Sequence, residues 1–94
     1  MLIVSGSIYV ASSRREAFVD ASRDSVVQAR RAPGCLDFVV AADPVEPDRV
    51  NVYERWESEE ELEAFRGDGP GPELTSDIRR AEVSRYAVSS SGPA

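Results

Sequence analysis

The chain has 94 residues, of which 41% are hydrophobic and 30% charged, values typical of one small soluble domain. Its net charge of -6 and isoelectric point near 4.6 argue against nucleic acid or an anionic membrane as a partner. It has no histidine, no lysine and a single cysteine, so histidine-based catalysis, histidine-metal sites, Schiff-base chemistry and an internal disulfide are excluded.

Residue patterns predict a strand, a helix and a second strand in the first half of the chain. Residues 2–10 alternate between apolar and mixed positions, and the apolar face has a gap at Gly6. Ser13 begins a capping-box signature, so we expect a helix that starts there and stops at the Pro-Gly pair of 33–34. Residues 35–42 form the second predicted strand. Its predicted inward residues are Leu36, Phe38 and Val40.

The second half of the chain completes an alternating order of strands and helices. The turn-rich segment DPVEPD is short enough to make the second and third strands a hairpin. The third strand covers 50–56, and Ser58 is the predicted cap of a helix that follows it. A short helix over 72–80 and a last strand over 82–88 come next, and we expect the tail 89–94 to be disordered.

The predicted order, βαββαβ, indicates an α+β domain over residues 1–88 with a ferredoxin-like fold. Its four-stranded antiparallel sheet has the order 4-1-3-2, with both helices on one face. The other face carries tyrosines and aliphatic residues where a solvated face would be polar, which is typical of an interface. We therefore expect a homodimer in which two sheets pack face to face; a monomer with a patchy surface is the alternative. The predicted interface residues are Tyr9, Val39 and Tyr53.

One carboxylate and the only tryptophan are predicted to lie under the helices. Glu54 and Trp56 share a face of the third strand, and Gly6 lies opposite the middle of that strand. The missing side chain at Gly6 leaves room for a cavity beside them. The expected wall residues of this cavity are Phe18, Val52, Phe65, Leu74 and Ile78. The alternatives are core packing for Trp56, a buried structural carboxylate for Glu54, and relief of crowding between strand and helix for Gly6.

The segments PGCLDFVV and DPVEPDRVNVYERWESEEELEAF resemble the antibiotic biosynthesis monooxygenase (ABM) family of dimeric α/β barrels. The likeness lies in Pro33-Gly34-Cys35-Leu36, the Asp43-Pro44 turn, the Tyr53-Glu54-Arg55-Trp56 strand, and Leu62 with Phe65. The resemblance implies a homodimer with one cavity per subunit between sheet and helices. In active members it implies cofactor-independent oxygenation of polycyclic phenols, anthrones or quinols, in which the deprotonated substrate itself passes an electron to oxygen. The family tryptophan falls on Trp56.

The sequence departs from the family pattern at positions that bear on activity. The first-strand asparagine of the haem-degrading relatives falls at about Gly6, and their histidine has no counterpart. Many members carry a histidine after the second helix, where this chain reads RGDGPGP. The asparagine of the polyketide-modifying members falls at Val52, and the neighbouring Asn51 points to the other face. The resemblance therefore supports the fold more strongly than the activity.

Two functions follow as hypotheses. The first is a cofactor-independent monooxygenase that oxidises a small aromatic quinol, phenol or polyketide-like substrate with O2. In it Glu54 is the base, Trp56 is a stacking wall, and Arg85 or Tyr86 stabilises the oxyanion. The second is a non-catalytic ligand-binding or scaffold dimer of the same fold. We expect no cofactor and no metal, since a transition-metal site would need carboxylates alone. The single cysteine favours the cytoplasm, and no apolar run approaches the ~20 residues that span a bilayer.

Overall fold

The computed structural model describes residues 1–67 and 76–94, which form a four-stranded antiparallel sheet with two helices on one face. The elements are β1 (Leu2–Tyr9), α1 (Arg15–Arg31), β2 (Cys35–Ala42), β3 (Arg49–Trp56), α2 (Glu59–Arg66) and β4 (Arg80–Ala87). The strand order is β2-β3-β1-β4, so the predicted ferredoxin-like βαββαβ fold and sheet order are confirmed. Residues 72–75 of the predicted short helix lie outside the described ranges. Within those ranges no helix is both long and apolar enough to cross a membrane.

The first helix begins later than the capping pattern predicts. A single 3₁₀ turn, Ser12–Arg14, precedes α1, and its N-cap residue Arg14 makes no side-chain capping bond. The predicted cap at Ser13 is therefore wrong. After the helix, Gly34 has a φ of +82°, a left-handed conformation that favours glycine and turns the chain into β2. The buried residues of α1 are Phe18, Ser22 and Ala29, which lie on one helical face.

A bulge at the start of β2 reverses the faces predicted for its first residues. Cys35 pairs with Trp56 of β3, and the next paired residue of β2 is Asp37, opposite Arg55. Leu36 is the extra residue, and its side chain is 41% exposed, so the prediction that Leu36 faces the helices is wrong. Cys35 instead packs against the apolar core. Alternation is regular again from Phe38 onward.

Asp43 organises the hairpin between β2 and β3. Its Oδ2 accepts hydrogen bonds from the backbone N–H of Val45 at 3.0 Å and of Glu46 at 2.8 Å, and its Oδ1 accepts one from Asn51 Nδ2 at 2.8 Å. These bonds, that of Glu46 foremost, lower the pKa of Asp43 from 3.8 to about 2. Arg15 of α1 donates to the carbonyl oxygens of Glu46 at 2.7 Å and Asp43 at 3.1 Å. The hairpin is therefore tied to the start of the first helix.

The second helix begins as predicted. The Ser58 side chain accepts a hydrogen bond from the Glu61 backbone N–H at 3.3 Å and donates one to Glu61 Oε1 at 2.9 Å. Three glutamates fill the first turn, where the positive end of the helix dipole stabilises negative charge. Leu62 is fully buried and anchors the helix on the sheet.

The face of the sheet that packs against the helices, called here the helix-side face, carries two adjoining apolar clusters. The first consists of Leu2, Val4, Ala29, Phe38, Trp56 and Leu62. The second consists of Val10, Phe18 and Val50, with Ile78 packed against it. β4 is an edge strand, and every one of its residues is exposed. The core therefore lies over β1, β2 and β3.

Candidate active site

The antiparallel register brings Glu54 to the middle of the helix-side face. Glu54 lies opposite Phe38 of β2 and opposite Val4 of β1, and Val4 in turn lies opposite Arg85 of β4. Directly opposed residues share a face of the sheet, so these four side chains form one row across it. Trp56 follows two residues later on the same strand and therefore on the same face, as the alternation predicts.

The two carboxylate oxygens of Glu54 have different surroundings. The residue is only 6% exposed. Trp56 Nε1 donates a hydrogen bond to Oε1 at 3.1 Å, whereas Oε2 lies 3.7 Å from Nη2 of Arg66, the last residue of α2. Within residues 1–67 and 76–94, no hydrogen bond reaches Oε2. The indole therefore fixes one oxygen, and the other faces a guanidinium while remaining able to accept a proton.

Trp56 is a core residue in this structure. Its side chain is fully buried, and its ring packs on Phe65 with centroids 5.5 Å apart and planes inclined by 35°. Phe65 also contacts Phe38 edge-on at 5.9 Å. Because both faces of the indole are enclosed, the expected stacking wall does not fit this arrangement. The contribution of Trp56 to the site is instead the N–H that orients Glu54.

Gly6 makes room for a neighbouring strand and leaves no cavity. It pairs with Val52 of β3, as predicted, and with Val83 of β4. A Cβ added at Gly6 would lie 2.7 Å from Val83 Cα and 2.9 Å from the carbonyl carbon of Glu82, closer than side chains approach backbone. The backbone of β4 thus occupies the space that was expected to open beside Glu54.

The remaining predicted wall residues do not converge on one cavity. Phe65 packs in the first apolar cluster, while Phe18 belongs to the second and Ile78 packs against it. Val52 is buried on the helix-side face between them. Leu74 lies outside the described ranges. The expected set is therefore divided between two parts of the core.

Two surface cavities occur in the described part of the chain, and neither is lined by Glu54 or Trp56. One, of about 380 Å³, is lined by Ser12, Arg15, Glu16, Val19, Asp20 and Ala42. The other, of about 300 Å³, is lined by Arg30, Cys35, Leu36 and Asp37. Access to Glu54 in this conformation is therefore limited to the vicinity of Arg66, whose side chain is 40% exposed.

The two residues expected to stabilise an oxyanion lie on opposite faces. Arg85 is on the helix-side face and forms ion pairs with two glutamates of α2: Glu59, and Glu63 at 2.7 Å. Tyr86 lies opposite Ile3 on the other face and is 54% exposed. Tyr86 therefore does not join Glu54 within one subunit, because alternation turns consecutive residues of a strand in opposite directions.

Two side chains near Glu54 are missing from the sequence prediction. Arg66 lies four residues after Leu62, so helical spacing places it on the same inward face of α2, a signal that was present in the sequence. Cys35 reaches the helix-side face only because of the bulge, which no local pattern predicts. Burial raises the pKa of its thiol, and the negative charges of Glu54 and Asp37 raise it further.

The face of the sheet opposite the helices, called here the open face, carries the predicted interface residues. Tyr9, Val39 and Tyr53 are half-buried there even in a single chain, and the guanidinium of Arg80 lies 4.2 Å from the centre of the Tyr9 ring. Arg55 lies on the same face. Its Nε is buried and has no hydrogen-bond partner among the described residues.

The donor groups in the described part of the chain do not form a metal site. No three Cys, Asp or Glu side chains of residues 1–67 and 76–94 converge in a way that could hold an ion. The independence from metals and cofactors therefore stays a prediction that needs a direct measurement.

The geometry can be compared with that of known proteins. The family model described as antibiotic biosynthesis monooxygenase matches residues 1–69. No functionally curated protein matches the chain. Among solved structures, a candidate antibiotic biosynthesis monooxygenase of Nitrosomonas europaea superposes with a TM-score of 0.81 at 19% identity, covering 96% of this chain and 100% of that one.

Two further solved structures give the same result. A candidate antibiotic biosynthesis monooxygenase of Deinococcus radiodurans has a TM-score of 0.81 at 15% identity and covers 100% of this chain and 98% of its own. Another, from Chloroflexus aurantiacus, has a TM-score of 0.71 at 24% identity, with 97% and 96% covered. At these identities the superpositions show a shared fold, and the family match extends over most of the chain. The chain belongs to the antibiotic biosynthesis monooxygenase family.

Proposed function

We propose that the protein is a cofactor-independent monooxygenase that uses O2 to oxidise a small aromatic quinol, phenol or polyketide-like substrate. Glu54 is its base. Membership of the family supports the reaction class, and the observation that carries the site is the division of the Glu54 carboxylate. Oε1 is held by the Trp56 indole, while Oε2 accepts no hydrogen bond from the described residues and is the atom placed to take a proton.

The proposed chemistry balances without an outside reductant. Glu54 Oε2 takes a proton from the acidic ring carbon of the substrate, and the resulting carbanion transfers an electron to O2. Recombination forms a peroxide, and loss of water leaves a ring carbonyl, so a CH2 group and O2 become C=O and H2O. The role of the chain is to hold the base in position and to keep it in a largely water-free environment.

The test is oxygen uptake with anthrone as substrate, measured with a chelator present and no flavin or metal added. Wild-type protein should consume oxygen above the rate of spontaneous anthrone oxidation. Glu54→Gln keeps the shape of the side chain and removes the base, so the rate should fall about 10²-fold or more. Glu57→Gln, an exposed glutamate three residues later on the chain, serves as the control for loss of one charge. Equal rates for Glu54→Gln and wild type would make Glu54 a structural carboxylate.

A second function, a non-catalytic ligand-binding or scaffold dimer, is favoured by one observation. Trp56 is fully buried, and neither surface cavity of the described chain reaches Glu54. In such a protein a hydroxylated aromatic ligand would quench Trp56 fluorescence saturably, or not at all, and would never be consumed. Ligand recovered unchanged after prolonged incubation in air, together with no oxygen uptake on anthrone, would favour this second function.

We also propose a cytoplasmic homodimer that forms through the open face. The half-buried Tyr9, Val39 and Tyr53 support this assembly, since aromatic and aliphatic groups are enriched at interface cores. Arg55 supports it independently. A guanidinium with a buried Nε and no partner in the described chain is costly unless another group accepts its hydrogen bond, and a second copy can supply one. The cytoplasmic location rests on the single cysteine.

A further inference from the structure

We propose that Arg66 is the charge-compensating residue of this site: it pairs with Glu54 in the resting protein and with the substrate oxyanion once Glu54 has taken the proton. This inference rests on the proposed function and adds a residue and a ligand property to it. The substrate class that fits is an aromatic whose ionised form carries negative charge on a phenol or enol oxygen.

The contact between Arg66 and Glu54 is close enough for attraction and loose enough to change partners. Nη2 lies 3.7 Å from Oε2, beyond hydrogen-bond range. The Glu54 side chain is 7% exposed, whereas that of Arg66 is 40% exposed. A ligand that approaches the carboxylate therefore meets the guanidinium, which can move toward it without losing a hydrogen bond to Glu54.

The other arginines on this side of the sheet are already engaged. Arg85 is paired with Glu59 and Glu63 of α2. Arg30 donates its Nε to the carbonyl oxygen of Phe38 at 2.9 Å. In the described part of the chain, Arg66 alone lies within 4.0 Å of the Glu54 carboxylate. It is therefore the cation available when charge moves within the site.

Proton transfer moves a negative charge and leaves the charge of the site unchanged. Before transfer, the anion is Glu54 and the substrate is neutral. Afterwards Glu54 is neutral, its attraction for Arg66 is lost, and the negative charge resides on the substrate oxygen. A guanidinium that follows the charge stabilises the ionised substrate in a poorly hydrated site, where such an interaction is stronger than in water.

The experiment measures the ionisation of a bound phenol and needs no turnover. Alizarin is a hydroxyanthraquinone that oxygen does not oxidise, and its colour changes when a phenol group ionises. We expect it to bind wild-type protein saturably, and the pH midpoint of the bound dye is then read from its visible spectrum. An opposite charge within 4–6 Å typically lowers an acid's pKa by one unit or more.

The two charged residues should move this midpoint in opposite directions. Arg66→Gln should raise it by about one pH unit, a tenfold weaker acid, because the cation is lost. Glu54→Gln should lower it, because an anion is lost. Arg66→Lys keeps the charge and should restore a midpoint near that of wild type. Arg23→Gln removes an exposed arginine of α1 and should change nothing. A merely structural Arg66 would not produce opposite shifts.

Removing Arg66 alone leaves Glu54 buried without a counter-charge and so risks unfolding the protein. The same comparison is therefore made in the Glu54→Gln background, where no unpaired carboxylate remains, and removal of Arg66 should again raise the midpoint. A midpoint that stays unchanged on loss of Arg66 in both backgrounds would refute the inference, while oxygen uptake sensitive to Glu54 would leave the proposed function intact. Failure of alizarin to bind, together with no anthrone oxidation, would refute both.

Discussion

Replacing Gly6 by alanine tests the contact on which the edge of the sheet depends. The added Cβ would lie 2.7 Å from Val83 Cα and 2.9 Å from the carbonyl carbon of Glu82. These are backbone atoms, so no side-chain rotation can relieve the clash. Ordinary contact begins at 3.4 Å, and β4 must therefore move away from β1 by at least about 0.7 Å.

The cost follows from that displacement. Backbone N–H···O bonds of about 2.9 Å that lengthen by 0.7 Å leave the hydrogen-bond range, and each contributes about 1 kcal/mol. Overpacking by one methyl group typically costs about 1–3 kcal/mol. We expect Gly6→Ala to lower the free energy of unfolding by about 3 kcal/mol, a large share of the stability of a small domain.

Urea unfolding at one fixed protein concentration, followed by Trp56 fluorescence, measures this loss, because the only tryptophan is fully buried in the folded protein. Two other glycines are matched controls. Gly34→Ala, at a φ of +82°, should cost about 1 kcal/mol, since only the flexible Glu61 carboxylate is in its way. Gly67→Ala, with its nearest atom at 3.6 Å, should change little. A loss below about 1 kcal/mol for Gly6→Ala would refute the described approach of β4.

Asp43→Asn should make stability less sensitive to acid. The folded pKa of about 2 lies below the ordinary 3.8, so the carboxylate stabilises the fold above about pH 4, and this contribution is lost as the pH falls through 2. The difference in urea midpoint between wild type and variant should shrink from pH 5 to pH 2, and exposed Asp24→Asn should show no such change. Tyr53→Asp should convert the dimer to monomer or unfold it in light scattering, because a charge would enter a dry interface. Val45→Asp, at an 85% exposed turn position, should remain dimeric; a stable 10.3 kDa monomer for wild type would contradict the proposed assembly.

The sequence was sufficient to predict the fold because the period of its apolar residues changes where the elements change. Strict alternation in β3 predicts which residues are buried, and the structure shows the same pattern along Arg49–Trp56. The bulge at Leu36 could not be predicted, since one extra residue in a strand leaves no local signature and reverses every face before it. The cap at Ser13 failed because the 3₁₀ turn Ser12–Arg14 takes its place.

The candidate site was only partly predictable, for a different reason. Alternation alone places Glu54 and Trp56 on one face, but it does not distinguish an indole that contacts a ligand from one that is enclosed by Phe65. That distinction depends on how α2 packs on the sheet. The same packing brings Arg66 to Glu54, a contact between residues twelve apart that only the register of helix on strand decides.

The departures from the family pattern and the Arg66 contact lead to one argument about substrates. Where relatives carry asparagine, this chain has Gly6, covered by the β4 backbone, and the apolar Val52. Neither can donate a side-chain hydrogen bond to a substrate oxygen. The polar groups left close to Glu54 are the Trp56 N–H, which is already bonded to it, and the Arg66 guanidinium. A site with one base and one cation favours a substrate that is itself acidic and reactive toward oxygen once ionised, and it disfavours one that must be activated by several neutral donors. Acidic anthrones and quinols should therefore be oxidised in preference to aromatics that lack an ionisable hydroxyl group.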